Sequence, residues 1–208
     1  MKYGKEIQAK VKQIKLSFRQ MMDGAVAQSM RSKGVDYHLN WGVTLPRLRE
    51  MAEKEGKDYH LAIALWKENV RECKILATMI MPPEDILPEV VDIWMEQTET
   101  TEIAEQASFN LYQHLPFAPV KAYEWMASPS ELYQLCGFLV IARIFMRGQE
   151  PNERGINEFI DQSLVALQSD SLAVRKAAKN ALYRFSELGI VYERLAKSAM
   201  RTIGVDFI

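Results

Sequence analysis

The stretch Asp58–Met81, DYHLAIALWKENVRECKILATMIM, places Leu61, Leu65 and Trp66, then Ile75, Leu76 and Met79, at intervals of three and four residues. That is the spacing of helices that bury one stripe, because about 3.6 residues complete a turn. The pattern continues in both directions, and no run alternates apolar and polar residues as a half-buried strand would. Breaks rich in Gly, Pro, Ser and Thr fall at 34–44, 56–58, 82–83, 98–100, 116–119, 128–129, 148–151, 169–171 and 189. Between them the spacing predicts helical segments at 45–55 leading into 58–81, 84–97 with 101–114, 118–127 with 130–147, and 152–168 with 171–188. Ser128-Pro129-Ser130-Glu131 reads as a capping serine, a proline at the first helical position and a glutamate able to return a bond. Gly56 and Gly189 read as left-handed terminators.

Successive pairs begin roughly every 35 to 40 residues, the period of helical-hairpin solenoids, in which each pair buries its apolar face by stacking on its neighbours. An irregular helical bundle produces a similar string of helices, so periodicity alone leaves both open. The 208 residues, 48% hydrophobic and 25% charged, suffice for one sizeable core or a short array of stacked units. This composition excludes a disordered tail, a collagen-like chain and a disulfide-stapled miniprotein. Cys73 and Cys136 both lie inside apolar helical patterns, which suits buried thiols in a reducing compartment. Apolar stretches such as Phe138–Ala142 fall far short of the roughly 20 residues of a bilayer span. No apolar signal core follows the basic amino terminus. A soluble, cytoplasmic protein without membrane association is the expectation.

The net charge of −1 conceals a separation. Residues 1–57 sum to +6 and residues 58–110 to −8, and no lysine or arginine occurs between Ile75 and Val120. Asp85, Glu89, Asp92 and Glu96 are spaced to share one helix face, either a solvated outer face or an acidic surface that repels phosphate or recruits a basic protein. Basic residues gather in the first helix, from Lys2 to Arg19, and in 171–188, which carries Arg175, Lys176, Lys179 and Arg184. In the latter, Lys176 and Asn180 are one turn apart with Lys179 and Tyr183 beside them. Cations mixed with an amide and an aromatic suit a phosphate backbone; the alternative is an amphipathic helix whose polar side happens to be basic.

Three segments carry a family resemblance. Val174-Arg175-Lys176-Ala177-Ala178-Lys179-Asn180-Ala181-Leu182-Tyr183-Arg184-Phe185 resembles the late helix, close to R-K-A-x-G-W-A-L-R-x-Y, of the DNA alkylation-repair family, the HEAT-like-repeat alkylpurine DNA glycosylases. Trp41-Gly42-Val43-Thr44-Leu45-Pro46-Arg47-Leu48-Arg49 is similar to that family's early G-V-x-x-P-x-L-R motif. Leu65-Trp66-Lys67-Glu68-Asn69-Val70-Arg71-Glu72-Cys73-Lys74-Ile75-Leu76-Ala77 is similar to its L-W-x-S-x-x-x-E-x-R-x-L-A hairpin. The resemblance implies an all-α right-handed solenoid of HEAT-like hairpins, read as a single domain over 1–208 with residues 1–40 as a helical cap and 41–208 as stacked pairs.

In active members of that family a Trp-x-x-x-Asp pair, an arginine on the next hairpin and a tryptophan of the late helix line a cleft. A carboxylate there stabilises the positive charge that builds on the sugar as the N-glycosidic bond breaks and helps position water. Aromatic walls favour a cationic alkylated base. In this sequence the pair falls on Thr101 and Glu105, the arginine at or near Gly137 and the tryptophan on Asn180, so only the carboxylate remains, one methylene longer. Trp94 is the best substitute aromatic. The resemblance thus implies binding of double-stranded DNA through Lys176, Lys179, Asn180 and Arg184, with Glu105 the residual catalytic candidate and base excision lost or weakened. A protein-interaction scaffold and an active glycosylase with a rearranged site are the alternatives. His38, His60 and His114 are too isolated for a metal site, and no phosphate-loop or dinucleotide motif occurs, so no metal and no cofactor are expected.

Overall fold

The computed structural model describes residues 2–35 and 37–204. Among them every regular element is helical, and they divide into two compact units, Met1–Leu111 and Tyr112–Ile208.

The first unit contains α1 (Lys2–Gln20), α2 (Gly24–Ser32), α3 (Leu45–Glu55), α4 (Tyr59–Trp66), α5 (Arg71–Ile80), α6 (Pro88–Glu96) and α7 (Thr101–Asn110). Its centre is α5, against which α3, α4 and α7 all pack, while α1 packs on α4. Every α5 residue from Arg71 to Ile80 is buried except Lys74 and Met79. The segment 58–81, one continuous apolar pattern in sequence, is two helices. The Lys67-Glu68-Asn69 triplet interrupts it, and Val70 is extended (φ −135°, ψ 127°). Tertiary partners fix that break: Glu68 accepts from Lys15 Nζ at 2.6 Å, and the Arg71 N–H donates to the Leu39 carbonyl at 3.0 Å. Aspartate caps start α2 and α4, Asp23 accepting from the Ala25 and Val26 N–H groups and Asp58 from that of Leu61.

The second unit opens with a 3-10 turn (Tyr112–His114), followed by α8 (Ala118–Met126), α9 (Glu131–Met146), α10 (Glu153–Ala166), α11 (Leu172–Ser186) and α12 (Ile190–Thr202). Here α9 is central, packed against α8 and α11, and α12 packs on α11 and α10. Phe145, Phe159 and Phe185 form a core triangle with ring centroids 5.0 to 5.5 Å apart, extended by Tyr192 over Phe185. Each such contact adds about 0.5 to 1.5 kcal/mol beyond area burial. Gly137 sets the α8–α9 separation. A Cβ there would meet the Met126 nitrogen at 2.6 Å and the Ala122 carbonyl oxygen at 2.8 Å, so the two backbones touch where a side chain would stand.

Two local expectations are corrected. The cap of α9 is Ser130 rather than Ser128. Ser128 Oγ instead accepts from the Ser130 N–H at 3.2 Å, and its carbonyl accepts from Gln134 Nε2 at 2.8 Å, so the serine shapes the turn before the helix. Gly189 does not terminate α11, whose cap is Glu187; it is the cap of α12, with φ 154°. Gly56, in contrast, does end α3 at positive φ (72°). Both cysteines are buried and outside any disulfide, and burial pushes the Cys73 thiol up to about 12. No helix among the described residues is long and apolar enough to cross a membrane.

Candidate nucleic-acid interface

The candidate residues lie on two helices, Glu105 on α7 of the first unit and Lys176, Lys179, Asn180 and Arg184 on α11 of the second. The two early motifs explain how α7 is held. Gly42 has φ +75°, and a Cβ on it would sit 2.1 Å from the Asp23 carbonyl oxygen, so glycine is required both for its conformation and for the approach of the α2 cap. The turn it makes aims the Trp41 and Val43 N–H groups at the Glu72 carboxylate, each 3.2 Å from Oε1. The glutamate of the second motif is therefore a fully buried clamp on the backbone of the first (0% exposed).

Next to it lies Arg71, 2% exposed with its polar atoms occupied. Nη1 donates to the Val43 carbonyl at 2.9 Å and to Glu72 at 3.2 Å, while Nε and Nη2 form a two-pronged pair with Glu102 of α7 at 2.8 and 2.6 Å. Tyr37 completes the cluster, donating to Glu102 at 2.5 Å with Thr100 Oγ1 at 3.0 Å. Burial pushes Glu102 up, but hydrogen bonds from Arg71 and Tyr37 outweigh it and hold the carboxylate below its ordinary value. Burial and the bond to Glu102 raise the Tyr37 phenol. The first turn of α7 is thus tied to α5 and to the 37–43 segment by charge-assisted bonds in a desolvated site.

One turn along α7, Thr101 and Glu105 share the exposed side of the helix opposite Ile103, Ala104, Ala107 and Ser108. Desolvation raises the Glu105 carboxyl above its ordinary value, with the negative charge of Glu102 adding to it. Phe109, 42% exposed, follows one turn beyond Glu105 and is the aromatic on this side of α7 that sequence reading missed. Trp94 is not available as a substitute. It is 2% exposed and stacked on Trp66, with centroids 4.2 Å apart and planes 4° from parallel, while Lys74 Nζ lies 4.4 Å from the Trp66 ring centre. Nor is 137 a place for an arginine, since the α8–α9 contact leaves no room for a Cβ. Arg147, on the same hairpin, is committed to the Gln113 side chain and carbonyl at 3.0 and 2.9 Å.

On α11 the buried side is Val174, Ala177, Ala178, Ala181, Leu182 and Phe185. The small alanines let α11 lie close to its neighbours, and several of the polar positions turn outward. Lys176, Lys179, Asn180 and Tyr183 are exposed together as one stripe of i, i+3, i+4 and i+7 spacing. Arg184 stands at its margin, half-buried, with Nη1 on Glu187 at 2.8 Å and its guanidinium 5.3 Å from the Tyr183 ring centre. Arg175 is turned back, donating to the Ser169 and Asp170 carbonyls at 2.5 and 2.9 Å. Two of the cations of this helix are therefore free of local partners and two are engaged. No group of three or more His, Cys, Asp or Glu among the described residues is placed to hold a metal ion.

The profile of the family described as DNA alkylation repair enzyme matches residues 14–188. The chain belongs to that family. Both motifs of the clamp and the exposed α11 stripe lie within the matched span. A solved structure from a family related to the HEAT-like repeat DNA glycosylases, with affinity for branched DNA structures, is similar to this DNA alkylation repair family member with a TM-score of 0.79. The match covers 95% of this chain and 84% of that chain at 15% identity. It shows the fold, an all-α solenoid of HEAT-like repeats. No curated protein matches the chain in sequence.

Proposed function

We propose that this family member binds double-stranded DNA through α11 and that base excision is lost or greatly weakened. The observation that carries the reading is the exposed stripe of Lys176, Lys179 and Asn180, two partner-free cations and an amide on a rigid, well-packed helix. Such groups position a protein on phosphates without reading sequence. Arg184 joins them through Nη2 while Nη1 stays on Glu187. The affinity of the structurally similar protein for branched DNA supports this assignment.

Weakened excision is supported by what stands at the positions where the family keeps its aromatic and cationic site residues. Thr101 offers no aromatic face, Trp94 is locked in the core against Trp66, and 137 is closed to any side chain. The longer reach of glutamate adds to this, since about 1 Å of misplacement can cost roughly 100-fold in rate. The test is duplex binding as a function of salt by wild type and by Lys176→Glu with Lys179→Glu. The expected result is a steep salt dependence and a loss of at least about tenfold in affinity in the double variant. Equal affinity of the two proteins would sink the reading. Release of methylated purine by wild type, abolished in Glu105→Gln, would instead show a working glycosylase.

One observation favours the protein scaffold as a second reading. Leu87 and Ile93, 59% and 49% exposed, lie among Glu84, Asp85, Glu89 and Glu96 on the α6 side of the first unit. Exposed apolar side chains on an element rich in exposed carboxylates fit a basic amphipathic segment. A stoichiometric protein partner released by Ile93→Lys, with no DNA binding at moderate salt, would favour it.

A further inference from the structure

Four of the described tyrosines differ in how the hydroxyl is used. Tyr37 and Tyr123 spend the hydroxyl in part-buried bonds, on Glu102 and the Gly155 carbonyl, and Tyr192 spends it in an exposed one on Glu150. Tyr183 does not. Its ring is 46% exposed, and its hydroxyl has no partner among the described residues. A large ring with nearly half its surface in water on the face of a helix, and its hydroxyl unspent, is the feature that neither fold nor phosphate binding explains.

Its surroundings are equally specific. Lys179 is one turn back, Asn180 three residues back and Lys176 two turns back on the same stripe. Arg184 lies against the ring at 5.3 Å and is itself held by Glu187 at 2.8 Å. A guanidinium anchored in this way restricts the ring by a cation–π contact, so the aromatic face is presented with little conformational freedom left to lose.

We infer that Tyr183 is a base-stacking residue, and that the preferred DNA presents an unpaired or unstacked base to α11. The inference rests on the reading of α11 as a DNA-binding helix and names the class of DNA it selects. In an intact duplex both faces of every base are covered by neighbours, and a side chain on a helix surface meets only phosphate, sugar and base edges. At a bulge, gap or branch point a base face is uncovered, and an exposed aromatic flanked by cations is the arrangement that binds it: the ring takes the base while the lysines take adjoining phosphates. Stacking tolerates any base, so the selectivity is for DNA structure rather than sequence.

The experiment compares two DNAs of equal length and charge density, a perfect duplex and one with a single unpaired 2-aminopurine, bound by wild type, Tyr183→Ala, Tyr183→Phe and the Lys176→Glu, Lys179→Glu pair. Wild type and Tyr183→Phe are expected to prefer the bulged DNA by roughly tenfold and to quench the 2-aminopurine on binding. Tyr183→Ala is expected to bind the perfect duplex as wild type does, with preference and quenching both lost. The lysine pair weakens both DNAs alike. Preference and quenching undiminished in Tyr183→Ala, or wild type that binds both DNAs equally without quenching, overturns the stacking role while leaving salt-dependent DNA binding by α11 intact. Absence of any DNA binding by wild type overturns both.

Discussion

The start of α7 and the outer face of α11 use charge in opposite ways. Around α7, Arg71, Glu72 and Glu102 are taken out of water and consumed by one another and by the backbone of 41–43. On α11, Lys176 and Lys179 stand in solvent with nothing to neutralise them. The first arrangement fixes geometry and, with one arginine between two glutamates, remains acidic enough for Glu102 to add to the desolvation that raises Glu105; the second leaves the helix surface free to act on a polyanion. A total of −1 averages two populations of charge that do different work.

The comparison is broken most forcefully at Arg71. Arg71→Met is expected to cost about 3 to 5 kcal/mol of stability in urea unfolding, because Glu72 and Glu102 are left buried without their cation. Arg71→Lys keeps a charge but not the two-pronged fork, and is expected to fall between. The same pair predicts an acid limit. Hydrogen bonds from Arg71 and Tyr37 hold Glu102 below its ordinary value of 4.5 against the upward push of burial. Its ionised form therefore favours the folded state. That contribution is complete above the unfolded value and is lost as pH falls through the lowered folded one. Stability measured from pH 6 down to pH 3 should fall in wild type, and the Arg71→Met profile should lack the part due to this pair. If the lysine pair on α11 proved as destabilising as Arg71→Met, the contrast between consumed and free charge would fail.

A smaller effect is expected at Gly137, where alanine must push α8 from α9 against the Met126 nitrogen at 2.6 Å. Overpacking of this kind costs about 1 to 3 kcal/mol in thermal or urea unfolding. The smallest belongs to Glu105. Its carboxyl is raised by desolvation and by Glu102, so its ionised form opposes folding slightly above the folded value. Glu105→Gln should be unchanged or up to about 0.5 kcal/mol more stable at neutral pH, with the difference vanishing at low pH. A loss of stability would reassign Glu105 to the clamp.

Much of this was legible beforehand, and what was not has identifiable causes. The helices from α8 to α11 follow the apolar spacing closely because each is bounded by its own Pro, Gly or Ser signal. The break inside 58–81 escaped because it is set from outside, by Lys15 on Glu68 and by the Leu39 carbonyl on the first N–H of α5. The motif glutamate Glu72 was visible as a position but not as a clamp, since its partners are backbone groups some 30 residues away that no side-chain pattern encodes. Trp94 shows the reverse error. Sequence proximity to a candidate carboxylate suggested a binding aromatic, whereas α6 turns its ring onto Trp66. Gly137 was read as a missing arginine, although the tight contact of α8 and α9 demands glycine there.

The sealed thiols have a practical consequence. Cys73 and Cys136 are both buried, and burial pushes the Cys73 thiol up to about 12, away from the reactive thiolate form. Maleimide chemistry on the folded protein should therefore pass over both. A single cysteine introduced on the exposed side of α11 would then carry a fluorophore or spin label as the sole reactive handle, and α11 could be followed during titration with DNA without stripping the natural cysteines from the core.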